Sequence, residues 1–407
     1  MLRCGLLGEK LRHSYSPAIH ARLGAYEYTL IEKDASQVGA FLQSDSFDGI
    51  NVTIPYKKTV MRYCAELSST AEAIGAVNTI VRRGDGSLYG DNTDAYGFSY
   101  MVKKAGIEVT GAKALVLGSG GASATVCAVL KELGAREVVV ISRSGEDNYS
   151  NLSRHADAEI IVNTTPVGMY PHNGVSPVDL AAFPACRGVL DVVYNPRRTA
   201  LCLQAEARGI PWESGLTMLV AQAKRASELF TGKTVDDACI DTVTAELRGE
   251  MENIILVGMP GSGKSSVAAF LGEKLSRKVV DSDEEIVRRA GKSIPEIFAQ
   301  SGEEVFRQLE SEVIRDLGKE SGLIIATGGG VVTRKENYAP LHQNGTIFHL
   351  RRDLNLLPTD GRPLSQRGKL AEMWQVRKPL YEAFSDEEIL NDAAVEDAAE
   401  KIREALL

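Results

Sequence analysis

The chain has 407 residues, of which 44% are hydrophobic and 25% are charged. Such a composition is typical of folded globular domains and excludes disordered, collagen-like and low-complexity proteins. At about 100–200 residues per domain, the length predicts two to four domains. The 54 acidic and 46 basic side chains give a net charge of −8, which argues against a general nucleic-acid-binding surface but allows small anions in local basic pockets.

Cysteine usage and hydropathy bear on the compartment of the protein. The six cysteines contain no CxxC pair, which is typical of buried thiols in a reducing cytoplasm. No segment approaches the roughly 18 consecutive apolar residues of a membrane helix, and residues 1–8 fit a first strand better than a signal peptide. We therefore expect a cytoplasmic protein with small-molecule partners, no nucleic acid and no membrane, whose oligomeric state the sequence does not determine.

The first 249 residues alternate short apolar strands with helical stretches. The predicted strands are Leu2–Leu7, Tyr26–Ile31, Gly49–Val52, Val77–Val81, Lys113–Leu117, Glu137–Ile141, Glu159–Val162 and Gly188–Asp191. The predicted helices are Pro17–Leu23, Gln37–Gln43, a stretch from Asp94 to about Lys104, Ala122–Leu133, and residues 199–207, 216–231 and 235–247. Strands separated by helices indicate βαβ units and a parallel sheet.

A second α/β segment begins near residue 250. The sequence Glu246-Leu-Arg-Gly-Glu-Met-Glu252 ends one helical pattern and precedes an abrupt apolar strand, which predicts a domain joint. Beyond the joint we predict strands at 253–257, 278–281, 323–326 and 346–350, and helices at 264–275 and up to residue 318. The chain is therefore predicted to be an α/β protein with domains at 1–249 and 250–407.

A glycine-rich turn joins the strand at 113–117 to the next helix. In Gly118-Ser-Gly-Gly-Ala, the first glycine permits a tight turn, and the second lets the backbone approach a pyrophosphate at the helix N-terminus. This strand–turn–helix context indicates a dinucleotide site. After the next strand, Arg143 stands where a 2′-phosphate would be bound, which favours NADP over NAD, whereas the acidic residues 146 and 147 weaken that preference.

Short polar runs follow several strands of the first segment. They are Ser14-Tyr-Ser16-Pro17, Asn51-Val-Thr53-Ile-Pro55-Tyr-Lys57, Ala76-Val-Asn78-Thr79 and Gly90-Asp91-Asn-Thr93-Asp94. Ligands of open α/β sheets bind beyond the carboxyl ends of the strands, so these hydroxyls, amides, one Lys and one Asp could hold a polyol acid together. Each run alone is equally well explained as turn chemistry. Together with the runs 163–169 and 218–223 they resemble shikimate dehydrogenase over nearly all of residues 1–249.

This resemblance implies roles for individual residues. It implies substrate binding by Ser14, Ser16, Thr53, Asn78, Gln222 and Tyr194, and a catalytic pair formed by Lys57 and Asp94. With the glycine turn, it implies NADPH binding by Gly118, Ser119, Gly120, Gly121, Ala122, Ser142, Arg143, Thr165, Gly215 and Met218. It also implies a substrate lobe at about 1–94 and 216–249 and a Rossmann NADP-binding lobe at about 95–215. In the family reaction, a Lys ammonium beside the 3-keto oxygen stabilises the charge left by hydride transfer and supplies a proton.

A phosphate-binding loop follows the first strand of the second segment. Gly258-Met-Pro-Gly-Ser-Gly-Lys-Ser265 matches the GxxxxGK[ST] pattern in full, between an apolar strand and a helix. The backbone N–H groups of such a loop cradle phosphates, its Lys neutralises the β and γ oxygens, and its Ser coordinates Mg²⁺. ATP binding is therefore predicted for Gly261, Ser262, Gly263, Lys264, Ser265 and Ser266.

Further motifs accompany this loop. They are Val280-Asp281-Ser-Asp283, Gly302-Glu-Glu-Val-Phe306-Arg307, Ala326-Thr-Gly328-Gly329-Gly330, Gly361-Arg362-Pro363 and Val376-Arg377-Lys-Pro379. With the loop they resemble shikimate kinase, a P-loop fold with a parallel sheet, across residues 250–407. The resemblance implies Mg²⁺ binding by Asp281 with Ser265, a base role and acceptor binding for Asp283, and catalytic roles for Lys264 and Arg362. It implies shikimate binding by Arg307, Gly328, Gly329, Gly330 and Arg377.

Two departures from these families concern the cofactors. Residues 144–158 look shorter than is usual for shikimate dehydrogenases, and Asp147 stands where a further basic residue often helps to hold NADP. The segment 350–362 looks short for a shikimate kinase, and the adenine-stacking Arg of that family has no clear counterpart. Arg351 or Arg352 could take its place.

We interpret the chain as a bifunctional enzyme that reduces 3-dehydroshikimate to shikimate with NADPH and then phosphorylates shikimate with ATP and Mg²⁺. Two alternatives stay open. One is a quinate-type dehydrogenase that prefers NAD, fused to the kinase, and the other is a non-catalytic ligand-sensing regulator. The regulator is disfavoured because a sensor need not keep both a proton donor and a Mg²⁺ shell. The intact residues behind this argument are Lys57, Asp94, Lys264, Asp281, Asp283 and Arg307.

Overall fold

The structure, a computed structural model, describes residues 1–11, 14–357 and 367–406. The chain forms two compact units. The first consists of Met1–Met169, Val175–Tyr194 and Thr199–Glu246, and the second consists of Tyr170–Gly174, Asn195–Arg198 and Leu247–Leu407. None of the helices in the described ranges is both long enough and apolar enough to cross a lipid bilayer.

The first lobe of unit one is built on a six-stranded sheet. Its elements are β1 (Arg3–Gly8), α1 (Ser16–Leu23), β2 (Glu27–Glu32), α2 (Ala35–Gln43), β3 (Gly49–Val52), β4 (Glu66–Leu67), α3 (Ser69–Ile74), β5 (Thr79–Arg82), β6 (Leu88–Asp91) and α4 (Thr93–Lys104). The strand order is β2-β1-β3-β5-β6-β4, and β5 pairs antiparallel with both β3 and β6. Only a short turn through Gly86 separates β5 from β6, and strands joined by so short a turn pair as a hairpin. The sheet is therefore mixed, where the alternation of strands and helices predicts a parallel one.

The second lobe of unit one contains a five-stranded parallel sheet. Its elements are β7 (Lys113–Leu117), α5 (Gly121–Glu132), β8 (Glu137–Ile141), β9 (Ile160–Asn163), β10 (Gly188–Asp191), α6 (Ala200–Ala207) and β11 (Trp212–Ser214). The helices α7 (Gly215–Thr231) and α8 (Ala238–Met251) follow in the chain, and Ala226 and Phe230 of α7 pack against Cys4 and Tyr26 of the first lobe. The strand order is β11-β10-β9-β7-β8, and β7 and β9 are buried along their full length, as expected for strands covered on both faces. Because β7 lies between β8 and β9, the strand order reverses at β7, where a ligand crevice is expected.

Helices α4 and α7 bring the two lobes of unit one together. They approach so closely that a Cβ on Gly97 of α4 would lie 2.6 Å from the carbonyl oxygen of Met218 on α7. Glycine is required there because backbone, not a flexible side chain, occupies the space. At the start of α4, Thr93 Oγ1 lies 3.4 Å from Gln222 Oε1 of α7.

Unit two contains a second five-stranded parallel sheet. Its elements are β12 (Asn253–Val257), α9 (Lys264–Leu275), β13 (Val279–Asp281), α10 (Ser282–Ala290), α11 (Ile294–Leu317), β14 (Ile324–Ala326), α12 (Tyr338–His342), β15 (Gly345–Arg351), α13 (Arg367–Phe384), β16 (Glu387–Leu390) and α14 (Val395–Ala405). The strand order is β13-β14-β12-β15-β16. The first strand, β12, is the central one, with β14 and β13 on one side and β15 and β16 on the other. The strand order therefore reverses at β12, and the loop that follows β12 lies where a ligand crevice is expected.

Every strand predicted from the sequence is present, with boundaries that agree to within two residues. The strands β4, β6, β11 and β16 were not predicted. They are two to four residues long, which is too short for the alternation of side chains to stand out from a loop.

Candidate active sites

A polar cavity of about 520 Å³ opens beyond the carboxyl ends of β1 and β3 in unit one. It brings together all the predicted substrate-binding and catalytic residues of the first segment, namely Ser14, Ser16, Thr53, Lys57, Asn78, Asp94, Tyr194 and Gln222. Its lining also includes residues that were not predicted, namely Leu6, Lys10, Leu11, Asn51, Val52 and Leu219. The polar runs of the sequence therefore converge on one site.

Lys57 and Asp94 form an ion pair in this cavity, with Lys57 Nζ 2.5 Å from Asp94 Oδ2. Lys57 follows β3 on a turn that contains the cis Ile54–Pro55 peptide bond. Asp94 lies in the first turn of α4, where the helix N-terminus favours a carboxylate. The two side chains are 25% and 14% exposed, so the pair is partly shielded from water yet open to the cavity. Such an ammonium can stabilise negative charge on a substrate oxygen and donate a proton to it.

Hydrogen bonds fix the amides that surround the ion pair. Asn78 Oδ1 accepts from the backbone N–H of Thr93 at 2.7 Å, and Asn78 Nδ2 donates to Thr93 Oγ1 at 3.1 Å. Thr93 Oγ1 lies 3.4 Å from Gln222 Oε1. Asn51 Nδ2 donates to Thr79 Oγ1 at 3.1 Å, so the unpredicted Asn51 belongs to the same chain of bonds. Fixed amides carry both donors and acceptors, which suits the recognition of ring hydroxyls.

Hydroxyl groups also line the cavity. Ser14 Oγ accepts from the backbone N–H of Ser16 at 3.2 Å. The ring of Tyr194 meets that of Tyr15 edge to face, with the ring centroids 5.8 Å apart. Burial raises the pKa of Tyr194, so its phenol stays protonated at neutral pH and can donate a hydrogen bond into the cavity.

A second cavity of unit one, of about 690 Å³, lies at the reversal of strand order beside β7. Its lining includes the predicted Gly118, Ser119, Gly120, Ser142, Arg143 and Thr165. Gly118 has a φ of 104°, and a Cβ there would lie 2.8 Å from Thr165 Cγ2, so only glycine suits this turn. By contrast, no atom lies within 4 Å of a Cβ built on Gly120 or Gly121. The open space above the N-terminus of α5 fits the pyrophosphate of a dinucleotide.

Arg143 stands at the end of this cavity that adjoins β8, and its neighbours decide what it can bind. Tyr149, which was not predicted, lines the same cavity. The carboxylate of Asp147 is engaged elsewhere, because its Oδ1 lies 2.9 Å from Nε2 of the buried His155. The cavity lining includes Arg143 but neither Glu146 nor Asp147, so the local arrangement at Arg143 fits an anionic 2′-phosphate better than the sequence alone indicates.

Four predicted cofactor residues lie outside the lining of both cavities, and one of them is Gly121, the first residue of α5. Met218 is 9% exposed and packs in the apolar core between α4, β9 and β10. Gly215 begins α7 directly against the backbone of Val192. Ala122 lies in the first turn of α5, behind the glycine turn. Their predicted contacts with the cofactor stay predictions.

The glycine-rich loop of unit two forms part of the wall of a cavity of about 640 Å³. Its lining contains predicted nucleotide, metal and acceptor residues, namely Gly261, Gly263, Lys264, Ser265, Ser266, Asp281, Asp283 and Gly329. Lys264 Nζ donates to the carbonyl oxygens of Gly258 and Met259 at 2.9 and 3.0 Å. The ammonium is thus held at the mouth of the loop, where the β and γ oxygens of a nucleotide are bound.

Ser265 and Asp281 meet on the floor of this cavity. Ser265 Oγ donates to Asp281 Oδ2 at 2.9 Å, and Asp281 Oδ1 accepts from the backbone N–H of Asp283 at 2.9 Å. A hydroxyl and a carboxylate beside a phosphate loop are the oxygen ligands that Mg²⁺ prefers, with phosphate oxygens and water completing its shell. The residues therefore fit the predicted magnesium ion.

The glycines after β14 contact the predicted acceptor residues. A Cβ on Gly328 would lie 2.6 Å from Asp283 Oδ1, and a Cβ on Gly330 would overlap the guanidinium of Arg307. Arg377 Nη1 donates to the carbonyl oxygen of Gly329 at 2.9 Å. Glycine at positions 328 and 330 therefore lets the backbone lie directly against Asp283 and Arg307. These two charged side chains could bind a hydroxyl and a carboxylate of the acceptor, respectively.

Glu310 is a member of this site that was not predicted. It is fully buried, and its Oε2 accepts from Arg307 Nη1 at 2.8 Å. Burial raises the pKa of Glu310, and the neighbouring Arg307 opposes that rise. The contact fixes the guanidinium on the side of the glycines.

Ser262 is a predicted nucleotide-binding residue that the lining of this cavity does not include. Ser262 is buried under the loop, and its carbonyl oxygen accepts from Asn391 Nδ2 at 2.7 Å. Arg362 lies outside the described residues, so its catalytic role stays a prediction. Arg351 and Arg352, the two candidates for an adenine contact, have different surroundings. Arg352 lines the cavity, whereas Arg351 Nη1 lies 3.0 Å from Glu388 Oε1 at the surface.

Both the N-terminal and the C-terminal part of the sequence match known protein families. The family model described as "Shikimate dehydrogenase substrate binding domain" matches residues 6–80, and the one described as "Shikimate kinase" matches residues 260–407. A curated "Shikimate dehydrogenase (NADP(+))" of Clostridium perfringens strain SM101 is 36% identical over 265 residues, which cover 60% of this chain and 97% of that protein.

Solved structures agree with the sequence matches. The shikimate 5-dehydrogenase of Thermus thermophilus, in complex with NADP(H) and shikimate, is 33% identical with a TM-score of 0.55 and covers 60% of this chain and 99% of its own. The quinate dehydrogenase of Corynebacterium glutamicum, in complex with NAD, is 27% identical with a TM-score of 0.55 and covers 60% and 98%.

Proposed function

We propose, from the premise that this chain belongs to the shikimate dehydrogenase family and carries a shikimate kinase domain, that it catalyses two consecutive reactions. The first is the NADPH-dependent reduction of 3-dehydroshikimate to shikimate, at residues 1–249. The second is the transfer of a phosphoryl group from ATP to shikimate, which gives shikimate 3-phosphate, at residues 250–407. Six free cysteines are consistent with a cytoplasmic enzyme.

The observation that carries the first activity is the Lys57–Asp94 pair inside a cavity of fixed hydroxyls and amides. NADPH, when bound in the second cavity, supplies the hydride. Lys57 then stands where it can stabilise the negative charge that develops on the former 3-keto oxygen and can deliver the proton that makes it a hydroxyl. Asp94 orients the ammonium, and the amides of Asn78 and Gln222 bind the ring hydroxyls. A proton and a hydride together convert the ketone to the alcohol.

The second activity needs positioning more than covalent chemistry. Asp283 accepts the proton of the attacking hydroxyl, while Arg307 and Arg377 hold the carboxylate of shikimate. Lys264 neutralises charge on the transferring phosphoryl group, and the Ser265–Asp281 pair holds Mg²⁺. We assign these roles because Lys264, Ser265, Asp281 and Asp283 line one cavity. Arg307 and Arg377 are outside that lining, but they lie against Gly330 and Gly329, and Gly329 belongs to the lining.

Direct assays with the purified full-length chain test both activities. We expect oxidation of NADPH, followed at 340 nm, when 3-dehydroshikimate is added, and release of ADP when shikimate, ATP and Mg²⁺ are added. Quinate with NAD⁺ tests the second candidate, which the match to a quinate dehydrogenase favours. A chain that binds both substrates without turnover would instead be a ligand-sensing regulator, and the proposal would fail.

Arg143 is expected to determine the preference for NADPH. We predict that Arg143→Ala lowers kcat/KM for NADPH by about 10- to 100-fold, because a charge-assisted hydrogen bond contributes about 1.5–3 kcal/mol, while kcat/KM for NADH changes less than twofold. Steady-state kinetics with both cofactors measure the ratio. Arg154→Ala is the matched control, since this exposed arginine lies outside the cavity lining. Equal losses with both cofactors would contradict a 2′-phosphate contact.

A further inference from the structure

Arg352 is the first residue after β15, and its side chain reaches the nucleotide cavity of unit two. It lines that cavity with Gly261, Gly263 and Lys264. Its Nη1 lies 4.0 Å from the position that a Cβ on Gly263 would occupy. Since Gly263 directly precedes helix α9, the guanidinium stands beside the N-terminus of that helix, at the C-terminal end of the phosphate-binding loop.

The charge of Arg352 is not used within the described part of the chain. Its Nε is buried and has no hydrogen-bond partner, and no carboxylate of residues 1–11, 14–357 or 367–406 forms an ion pair with it. Arg351, its neighbour in sequence, is half exposed and pairs with Glu388. A buried donor without a partner is costly unless a ligand completes it, so the geometry leaves Arg352 prepared for an anion.

The strand order indicates which part of a nucleotide Arg352 would meet. Asp281 ends β13 and Asp283 comes two residues later, on one side of β12, whereas Arg352 follows β15, on the other side. The phosphoryl group that is transferred must lie on the β13 side, next to the acceptor base. A phosphate chain that crosses the loop after β12 therefore ends with its nucleoside on the β15 side.

We propose that Arg352 binds the phosphate chain of ATP and ADP at its nucleoside end, through oxygens of the α- and β-phosphates. This inference rests on the proposed kinase activity. A planar guanidinium suits phosphate oxygens, with which it forms two parallel hydrogen bonds. It would supply, from the strand on the other side of β12 from Asp281 and Asp283, a cation that complements Lys264.

Calorimetric titration with ADP and Mg²⁺ tests the proposal on the full-length chain. Saturating NADP⁺ is included so that the dinucleotide cavity of unit one does not contribute to the signal. We expect Arg352→Ala to weaken ADP binding roughly 10- to 100-fold, as the loss of a charge-assisted contact to phosphate does. Arg351→Ala, the adjacent arginine with a surface partner, should change ADP affinity less than twofold.

Two substitutions of similar length separate charge from shape. Arg352→Lys keeps a cation and should bind ADP at least threefold more tightly than Arg352→Gln, which keeps hydrogen bonding without charge. Equal affinities of the Lys and Gln variants would overturn the phosphate contact, as would an Arg352→Ala variant that binds ADP like the parent. Unfolding temperatures and NADPH oxidation, both expected unchanged, exclude misfolding. Failure of the parent chain itself to bind ADP would refute the kinase proposal rather than the role of Arg352.

Discussion

Lys57→Ala is expected to lower the kcat of NADPH oxidation by about 1000-fold. General acid catalysis contributes about 10²–10⁴-fold, and the loss of one group that stabilises an oxyanion costs about 10²–10³-fold; in this cavity one ammonium serves both purposes. The methyl group of alanine leaves Asp94 in place, so a negative charge would stand where a negative charge has to develop. The KM for 3-dehydroshikimate should change much less than kcat, because the amides of Asn78 and Gln222 remain.

The controls for this prediction lie in the same chain. Lys58→Ala removes the adjacent lysine, which is exposed and outside the cavity lining, and should leave kcat within twofold of the parent. Asp94→Asn keeps the size of the side chain but removes its charge, and it should lower kcat with Lys57 still present. Release of ADP in the kinase assay should be unaffected by all three changes. Retention of more than a tenth of the parent kcat by Lys57→Ala would contradict its role as the proton donor.

The two family resemblances were correct because each rests on polar residues at strand ends, which a sequence displays directly. Parallel strands bring their carboxyl ends to one edge, so residues as distant as Ser14 and Gln222 meet in one cavity. The glycine-rich loops were recognisable for a similar reason, since their spacing is imposed by the turn and by the phosphates. Both patterns are local, and the sheet supplies the remaining geometry.

The site residues that were not predicted from the sequence owe their roles to contacts with residues that are brought beside them only by folding. Glu310 is one of several glutamates on a helical pattern, and its importance comes from complete burial against Arg307. Asn51 is the first residue of one of the polar runs in the sequence, but its hydrogen bond to Thr79 joins the neighbouring strands β3 and β5 and forms only in the folded sheet. Arg351 and Arg352 are equivalent in the sequence, and only the end of β15 decides which of them turns to the cavity and which turns to Glu388.

The strands that were missed have an equally physical explanation. In β16 only Ile389 is buried, between glutamates and an exposed leucine, so neither a continuous apolar run nor a clean alternation marks it. The strand is defined by its pairing with β15 at the edge of the sheet. The hairpin of β5 and β6 did have a local signal, because Asp85-Gly86 is a turn sequence, and that signal predicts the antiparallel pair that mixes the first sheet.

Lys264→Ala is expected to lower kcat/KM for ATP by at least about 1000-fold in the kinase assay. Removal of one preorganised donor to a developing charge costs about 10²–10³-fold, and phosphoryl transfer has few other sources of catalysis, since it depends almost entirely on positioning and charge neutralisation. Lys264 is buried, and the carbonyl oxygens of Gly258 and Met259 hold its ammonium in place. Lys264→Met, which keeps the length of the side chain, should be as inactive as alanine, since the charge is what matters.

Lys274→Ala separates this effect from a general loss of positive charge on α9. That lysine is exposed in the last turn of the same helix, and its replacement should leave ATP use within twofold of the parent. NADPH oxidation should be normal in all Lys264 variants. If each activity resides in its own cavity, an equimolar mixture of the Lys57→Ala and Lys264→Ala proteins should convert 3-dehydroshikimate to shikimate 3-phosphate, with free shikimate as a transient that accumulates first. A mixture that makes no shikimate 3-phosphate, although each protein retains its one expected activity, would contradict two independent sites and would show that both must function within one chain.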